Sequence, residues 1–136
     1  MKRLKFLILF MVVILILWKL LSKEDQNLKG FYQSEMIGNH IIQMQIREED
    51  NSFIEWINNR EVDKGTYERV DTNLYRIKSN RQNFEVELKD DNSFEIVISK
   101  LNDGKPINMK NVSTNDTPFS FGDRFDDVDK YKALLD

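Results

Sequence analysis

The sequence contains no cysteine, a single histidine, two prolines and five glycines in 136 residues. Without cysteine there is no disulfide framework, no thiol nucleophile, no zinc–cysteine site and no lipidated-cysteine anchor. The lone histidine, His40, excludes multi-histidine metal sites, and any Ser-His-Asp triad would have to use it. Beyond the N-terminus the chain also lacks a surplus of cations. The first 23 residues hold Lys2, Arg3, Lys5, Lys19 and Lys23 and no acid, whereas the rest hold fifteen Lys and Arg against all 23 Asp and Glu. Such a domain has few cations to displace counterions from phosphate, so no nucleic-acid partner is expected. Its acidity serves solubility. Gly104-Lys105 lacks the flanking pattern of a phosphate loop.

What is present at the start is a long apolar run. Phe6 to Trp18 is unbroken, and the window Leu4–Leu21 spans 18 residues, interrupted only by Lys5 and Lys19. That length suits a membrane-crossing helix, with the two lysines reaching to the interfaces. The sequence WKLLSKED that follows has large side chains where a signal peptidase requires small ones, which favours a retained signal anchor over a cleaved peptide. Phe6, Leu9, Val13, Ile16 and Trp18 are the expected anchor residues. Lys2, Arg3 and Lys5 precede the run, so the positive-inside bias predicts a cytoplasmic N-terminus. The expectation is a single-pass protein of the cell membrane: residues 1–23 a transmembrane segment, 22–28 a short linker, and 24–136 one β-rich extracytoplasmic domain.

The body of the chain reads as short runs with period-two alternation between polar turns. The runs are Gly30 to about Met36, His40–Arg47, Ser52–Asn58, Gly65–Val70, Leu74–Lys78, Phe84–Lys89 and Phe94–Ile98, with Pro106–Met109 as a short last edge strand. Phe84-Glu85-Val86-Glu87-Leu88-Lys89 alternates without error and predicts a hairpin with the run after it. Val112–Pro118 reads as a loop, and Asp123 as the N-cap of a C-terminal helix. About eight strands in sequence predict an all-β fold, an antiparallel up-and-down meander that closes into a small barrel, with a curved open sheet as the alternative. This plan, with Gly30-Phe31-Tyr32 opening the first strand, resembles the calycins and their lipocalin-type barrels, in which Gly-x-Trp stands at that place. Gly65-Thr66-Tyr67 repeats the pattern. The resemblance implies a cup that holds an apolar ligand.

Candidate chemistry is sparse. Glu85, Glu87 and Glu95 fall on solvated strand faces. Asp123, Asp126, Asp127 and Asp129 form the densest acidic cluster but lack the order of a calcium loop, and helix capping accounts for them. Trp56, Tyr67 and Tyr75 are the candidate ligand- or partner-binding residues, with core filling as the plainer role. No cofactor and no metal is expected. The Lys-, Asn- and Ile-rich composition resembles that of an AT-rich bacterium, and the composite expectation is a non-enzymatic binding or accessory protein of a bacterial envelope, acting on a protein partner near the membrane. A toxin or bacteriocin immunity protein is one instance. A lipocalin-like carrier of a small apolar ligand is the alternative.

Overall fold

The computed structural model describes residues 1–21 and 26–136. Helix α1 (Lys2–Leu21) is 20 residues long, about 30 Å, the thickness of a bilayer's hydrocarbon core. It is apolar on every side, and none of its side chains is buried against protein. Its length and composition suit a membrane span or a signal sequence.

Eight strands follow: β1 (Gly30–Ser34), β2 (Ile42–Arg47), β3 (Ser52–Ile57), β4 (Arg60–Arg69), β5 (Leu74–Ser79), β6 (Asn83–Glu87), β7 (Ser93–Ile96) and β8 (Ile107–Ser113). All neighbours are antiparallel, in the order β6-β5-β4-β3-β2-β1-β8-β7. β8 returns to pair with β1, and the sheet curls until its edge strands β6 and β7 approach each other, a nearly closed eight-stranded barrel consistent with a calycin-like plan. Helix α2 (Val128–Lys132) and a 3-10 turn (Ala133–Leu135) end the chain, with Tyr131, Leu134 and Leu135 packed on the core.

Alternation assigns the faces. Tyr32, Ile42, Met44, Ile46, Phe53, Ile57, Tyr67, Tyr75, Ile77, Val86, Phe94, Ile96, Ile107 and Met109 point inward and are buried. The turn between β3 and β4 is two residues, Asn58-Asn59, both at positive φ (49° and 68°), as a type I′ hairpin requires. Asparagine supplies the left-handed conformations that glycine supplies elsewhere. Gly30 is different: a β-carbon there would lie 2.1 Å from the Ser113 carbonyl oxygen. The close approach of β1 to β8 therefore depends on glycine.

Several sequence expectations are corrected. The linker expected over 22–28 lies outside the described residues at 22–25, and its far end is not linker. Leu28 is buried in the core, its N–H donating to Tyr75 Oη (3.2 Å), so it plugs the barrel end where the chain enters. The last strand is not a short edge: β8 runs to Ser113, takes in Val112, and sits between β1 and β7. The hairpin expected between β6 and β7 keeps its turn, with Lys89 N donating to Ser93 O (2.8 Å). Yet no ladder joins these strands among the described residues, and the barrel's seam lies here. β6 stays with β5 to its end, where Leu88 N donates to Asn73 O (2.7 Å). The fourth strand begins at Arg60, not Gly65, because the Asn58-Asn59 turn reverses the chain at once. The C-terminal helix starts at Val128, not after Asp123. The segment before it is held against the barrel by Arg60, whose guanidinium stacks on Phe125 (3.9 Å to the ring centre) and pairs with Asp127.

Candidate functional site

Two features stand out, one inside the barrel and one on its outer wall. The inner one begins with strand phase. Phe53, Glu55 and Ile57 share the inward face of β3, so Glu55 is a carboxylate pointing into the core, 1% exposed. A β-bulge at Glu55/Trp56 sets Asp63 of β4 directly opposite it. The Gln82 side-chain amide donates to both carboxylates, at 2.9 Å to Glu55 Oε2 and 2.8 Å to Asp63 Oδ2. Ser79 Oγ donates to Asp63 Oδ2 (2.6 Å), and the Lys64 N–H to Asp63 Oδ1 (2.9 Å). Burial pushes the Glu55 carboxyl up to about 7; the Gln82 hydrogen bond opposes this, and the nearby Asp63 charge adds to it. The arrangement can hold and exchange a proton near neutral pH. The adjoining cleft, about 260 Å³, is lined by Glu61, Val62, Asp63, Lys64, Asn80, Arg81 and Lys132, so it opens on Asp63 and not on Glu55. Among the described residues no three Asp, Glu or His side chains converge as a metal site would require.

The outer feature is an aromatic wall under a strap. After β8 the chain crosses the outside of β1, β2 and β3. Gln45, which alternation places on the outer face, is 2% exposed because the strap covers it. Its amide nitrogen donates to the Thr117 carbonyl and its Oε1 accepts from Phe119 N–H (3.1 Å). Gln43 likewise is buried, bonded to Asn59 through Nε2 (2.9 Å) and Oε1 (3.2 Å). Phe119 meets Phe31 edge-on (5.5 Å between ring centres), and Phe121 meets Trp56 (5.4 Å). Arg60 closes the far end, between Phe125 and Tyr131 (4.6 Å to the Tyr131 ring centre) and paired with Asp127 through two hydrogen bonds of 3.0 and 2.9 Å. That contact holds the Asp127 carboxyl below, and the guanidinium above, their ordinary ranges. Clefts remain on this wall. One of about 310 Å³ lies over Ile54, Trp56, Arg60 and Phe121. Another, about 370 Å³, is lined by Phe31, Gln45, Val112, Ser113, Asn115, Thr117, Pro118 and Phe119.

The residues singled out from the sequence do not form one site. Trp56 lies on the outer wall, 3% exposed beneath the strap. Tyr67 and Tyr75 lie inside, 6.1 Å apart, near the end plugged by Leu28. Burial pushes the Tyr67 hydroxyl up to about 12, with Glu48, Asp116 and Asp50 adding their charge. Tyr32, the aromatic of the first Gly-x-Tyr, is fully buried and donates to Asn92 Oδ1 (2.8 Å). His40 packs edge-on to Tyr131 (6.1 Å). Glu85 and Glu95 are exposed and paired with Arg76 and Lys89. The anchor residues Phe6, Leu9, Val13, Ile16 and Trp18 are all exposed along α1. Sequence reasoning missed the Glu55–Asp63 pair, although Glu55 sits two residues from inward Phe53 and Ile57. It missed Phe119 and Phe121 as wall residues because they follow no strand or helix period, and it read Phe125 with Val128 and Leu135 as one helical stripe, whereas Phe125 precedes α2 and stacks on Arg60. Comparisons with protein-family models, curated proteins and solved structures find no match to this chain.

Proposed function

We propose that this protein is a membrane-tethered, non-enzymatic binding module of a bacterial envelope, acting on a protein partner at the outer face of the membrane. Neutralisation of a toxin or bacteriocin, as by an immunity protein, is the form this would take. One observation carries the reading: the barrel interior is filled, while an open apolar cleft lies on the outer wall beside β8. Leu28, Tyr32, Ile42, Met44, Ile46, Phe53, Ile57, Ile77, Phe94, Ile107 and Met109 are each no more than 1% exposed. A carrier needs an open apolar cavity, and side chains fill this interior as they do in small barrels that carry nothing. Helix α1 supplies the tether, with its basic flank on the cytoplasmic side. Tethering raises the local concentration of the module at the bilayer, so a modest intrinsic affinity suffices. Glu55 is read as structural, since its carboxylate is sealed in the core.

The test is photo-crosslinking in native membranes. A photoreactive residue at position 112, on the outer wall, is expected to give a discrete protein adduct, and one at position 86, inside the barrel, none. The lipocalin-like alternative predicts the reverse, namely a stoichiometric apolar small molecule that co-purifies with the full chain.

A further inference from the structure

Within that partner-binding reading, the chemistry of the partner is legible in the cleft beside β8. Its wall is Phe31, Val112 and Phe119, with Pro118 at its rim. Val112 is 62% exposed and Phe119 44%, although both belong to segments held in place. Val112 is in a strand paired to β1, and Phe119 is fixed through Gln45. An apolar groove of about 370 Å³ is large enough for a few side chains. It is built, and it is open.

The surroundings are acidic. The β2–β3 turn, next to the strap, carries Glu48, Glu49 and Asp50, all exposed. Asp116 of the strap joins them, its Oδ2 accepting from Glu48 N–H (3.2 Å). Arg47 is the local cation: it pairs with Glu49 (3.4 Å) and Asp50 (2.9 Å), and its Nε donates to the Asp116 carbonyl (3.4 Å). Four carboxylates and one guanidinium, paired with two of them, therefore lie beside the Asn115–Thr117 side of the groove. The two other turns at this end of the barrel add Asp71 and Asp91, beside Arg69, which donates to the Thr72 carbonyl, and Lys89, which pairs with Glu95.

This is also the end where the tether enters. Phe31 stands opposite Ser113, and Gly30 lies against the Ser113 carbonyl. Gln26 is fixed to the same end through Asp90 (2.9 Å). Five Cα steps separate Leu21 from Gln26, at most about 19 Å whatever path they take. A negative field so close to a bilayer disfavours the anionic lipid surface itself as the occupant. It favours what such a surface accumulates, a cationic amphipathic chain.

We propose that this groove binds a cationic amphipathic segment of a protein partner, its apolar side chains against Phe31, Val112 and Phe119 and its Lys or Arg side chains against Glu48, Glu49, Asp50 and Asp116. Apolar contact supplies the affinity, and the acidic margin supplies sign selectivity and encounter rate.

The experiment uses the full chain in nanodiscs of zwitterionic lipid, with empty nanodiscs subtracted. The probe is a Lys/Phe-alternating octapeptide, and a Glu/Phe-alternating octapeptide is its control. The Lys/Phe peptide is expected to bind in the micromolar range, more weakly as salt is raised. Its amide shift changes fall on residues 31, 45, 112–117 and 119. Val112→Lys and the double variant Glu48→Lys/Glu49→Lys, each checked for an unchanged far-UV spectrum, should each weaken it by about tenfold or more. Equal binding of the Glu/Phe peptide, or shift changes away from the groove, would overturn the assignment. So would protection of Val112 and Phe119 by lipid without peptide, which would make the bilayer the occupant. Concentration-dependent self-association through the same residues would make it a second copy. If variants that have lost the peptide still give the position-112 protein adduct in membranes, the groove assignment fails and the partner-binding reading survives.

Discussion

Single residues decide how the barrel behaves with pH. Glu55 loses its proton near 4.5 in the unfolded chain but only at about 7 in the fold. Between those values the folded state binds the extra proton, so stability falls as pH rises through this window and is flat above it, by at most about 1.4 kcal/mol per pH unit. Melting curves should show Tm higher at pH 5 than at pH 7.5, and Glu55→Gln, whose carbonyl still accepts from Gln82, should remove most of that slope. An unchanged slope in the variant would mean that Glu55 is not buried as a neutral acid. Asp127, held low by Arg60, acts in the opposite sense: its contribution is present above the ordinary carboxylate range and is lost as pH falls below it. Burial also separates neighbours on one strand. Val86 is 2% exposed and Glu87 faces solvent. Val86→Asp should therefore cost about 3 kcal/mol or more, and Glu87→Gln about 0.5 kcal/mol or less. Urea titrations of the two variants check this, and equal midpoints would mean that the register of β6 is wrong.

At the scale of elements, the strands were legible in the sequence and the strap was not. Alternation is a local signal, and Ile42-Gln43-Met44-Gln45-Ile46 carries it plainly, as does Phe84 to Leu88. Partnership is not local. That Gln45 would be buried on the outer face depends on Thr117 and Phe119 arriving from some 70 residues away, and Gln43 is capped by Asn59 from the turn after the next strand. For the same reason β8 read as an edge: nothing within it announces that β1 waits on its far side. The inward Glu55 escaped notice because a glutamate in an alternating run is ordinarily on the solvated face. The strap itself has a clear dependence. Gln45→Ala leaves the Thr117 carbonyl and the Phe119 N–H without their buried partner, which should destabilise the chain by about 1–3 kcal/mol. It should also expose residues 114–124 to protease before the barrel unfolds. Limited proteolysis followed by mass spectrometry reads this directly, and first cleavage within the barrel strands would show that the strap is not a separate unit.

The whole molecule joins an all-round apolar helix to a filled barrel over a span of four residues, 22–25, outside the described segments. In the proposed reading, the packed interior makes the outer wall the surface available for recognition, and a retained α1 keeps that wall near the membrane. If recognition there is the activity, then chemistry at the buried carboxylate pair is dispensable and the tether is not. The measurement that separates these is restoration of the phenotype produced by deleting the gene, scored for two chains expressed at equal level: full-length Glu55→Gln, and residues 26–136 exported without α1. A tethered binding module predicts full restoration by Glu55→Gln and little or none by the untethered domain. Loss of function in a correctly folded Glu55→Gln chain, together with full restoration by the untethered domain, would contradict it.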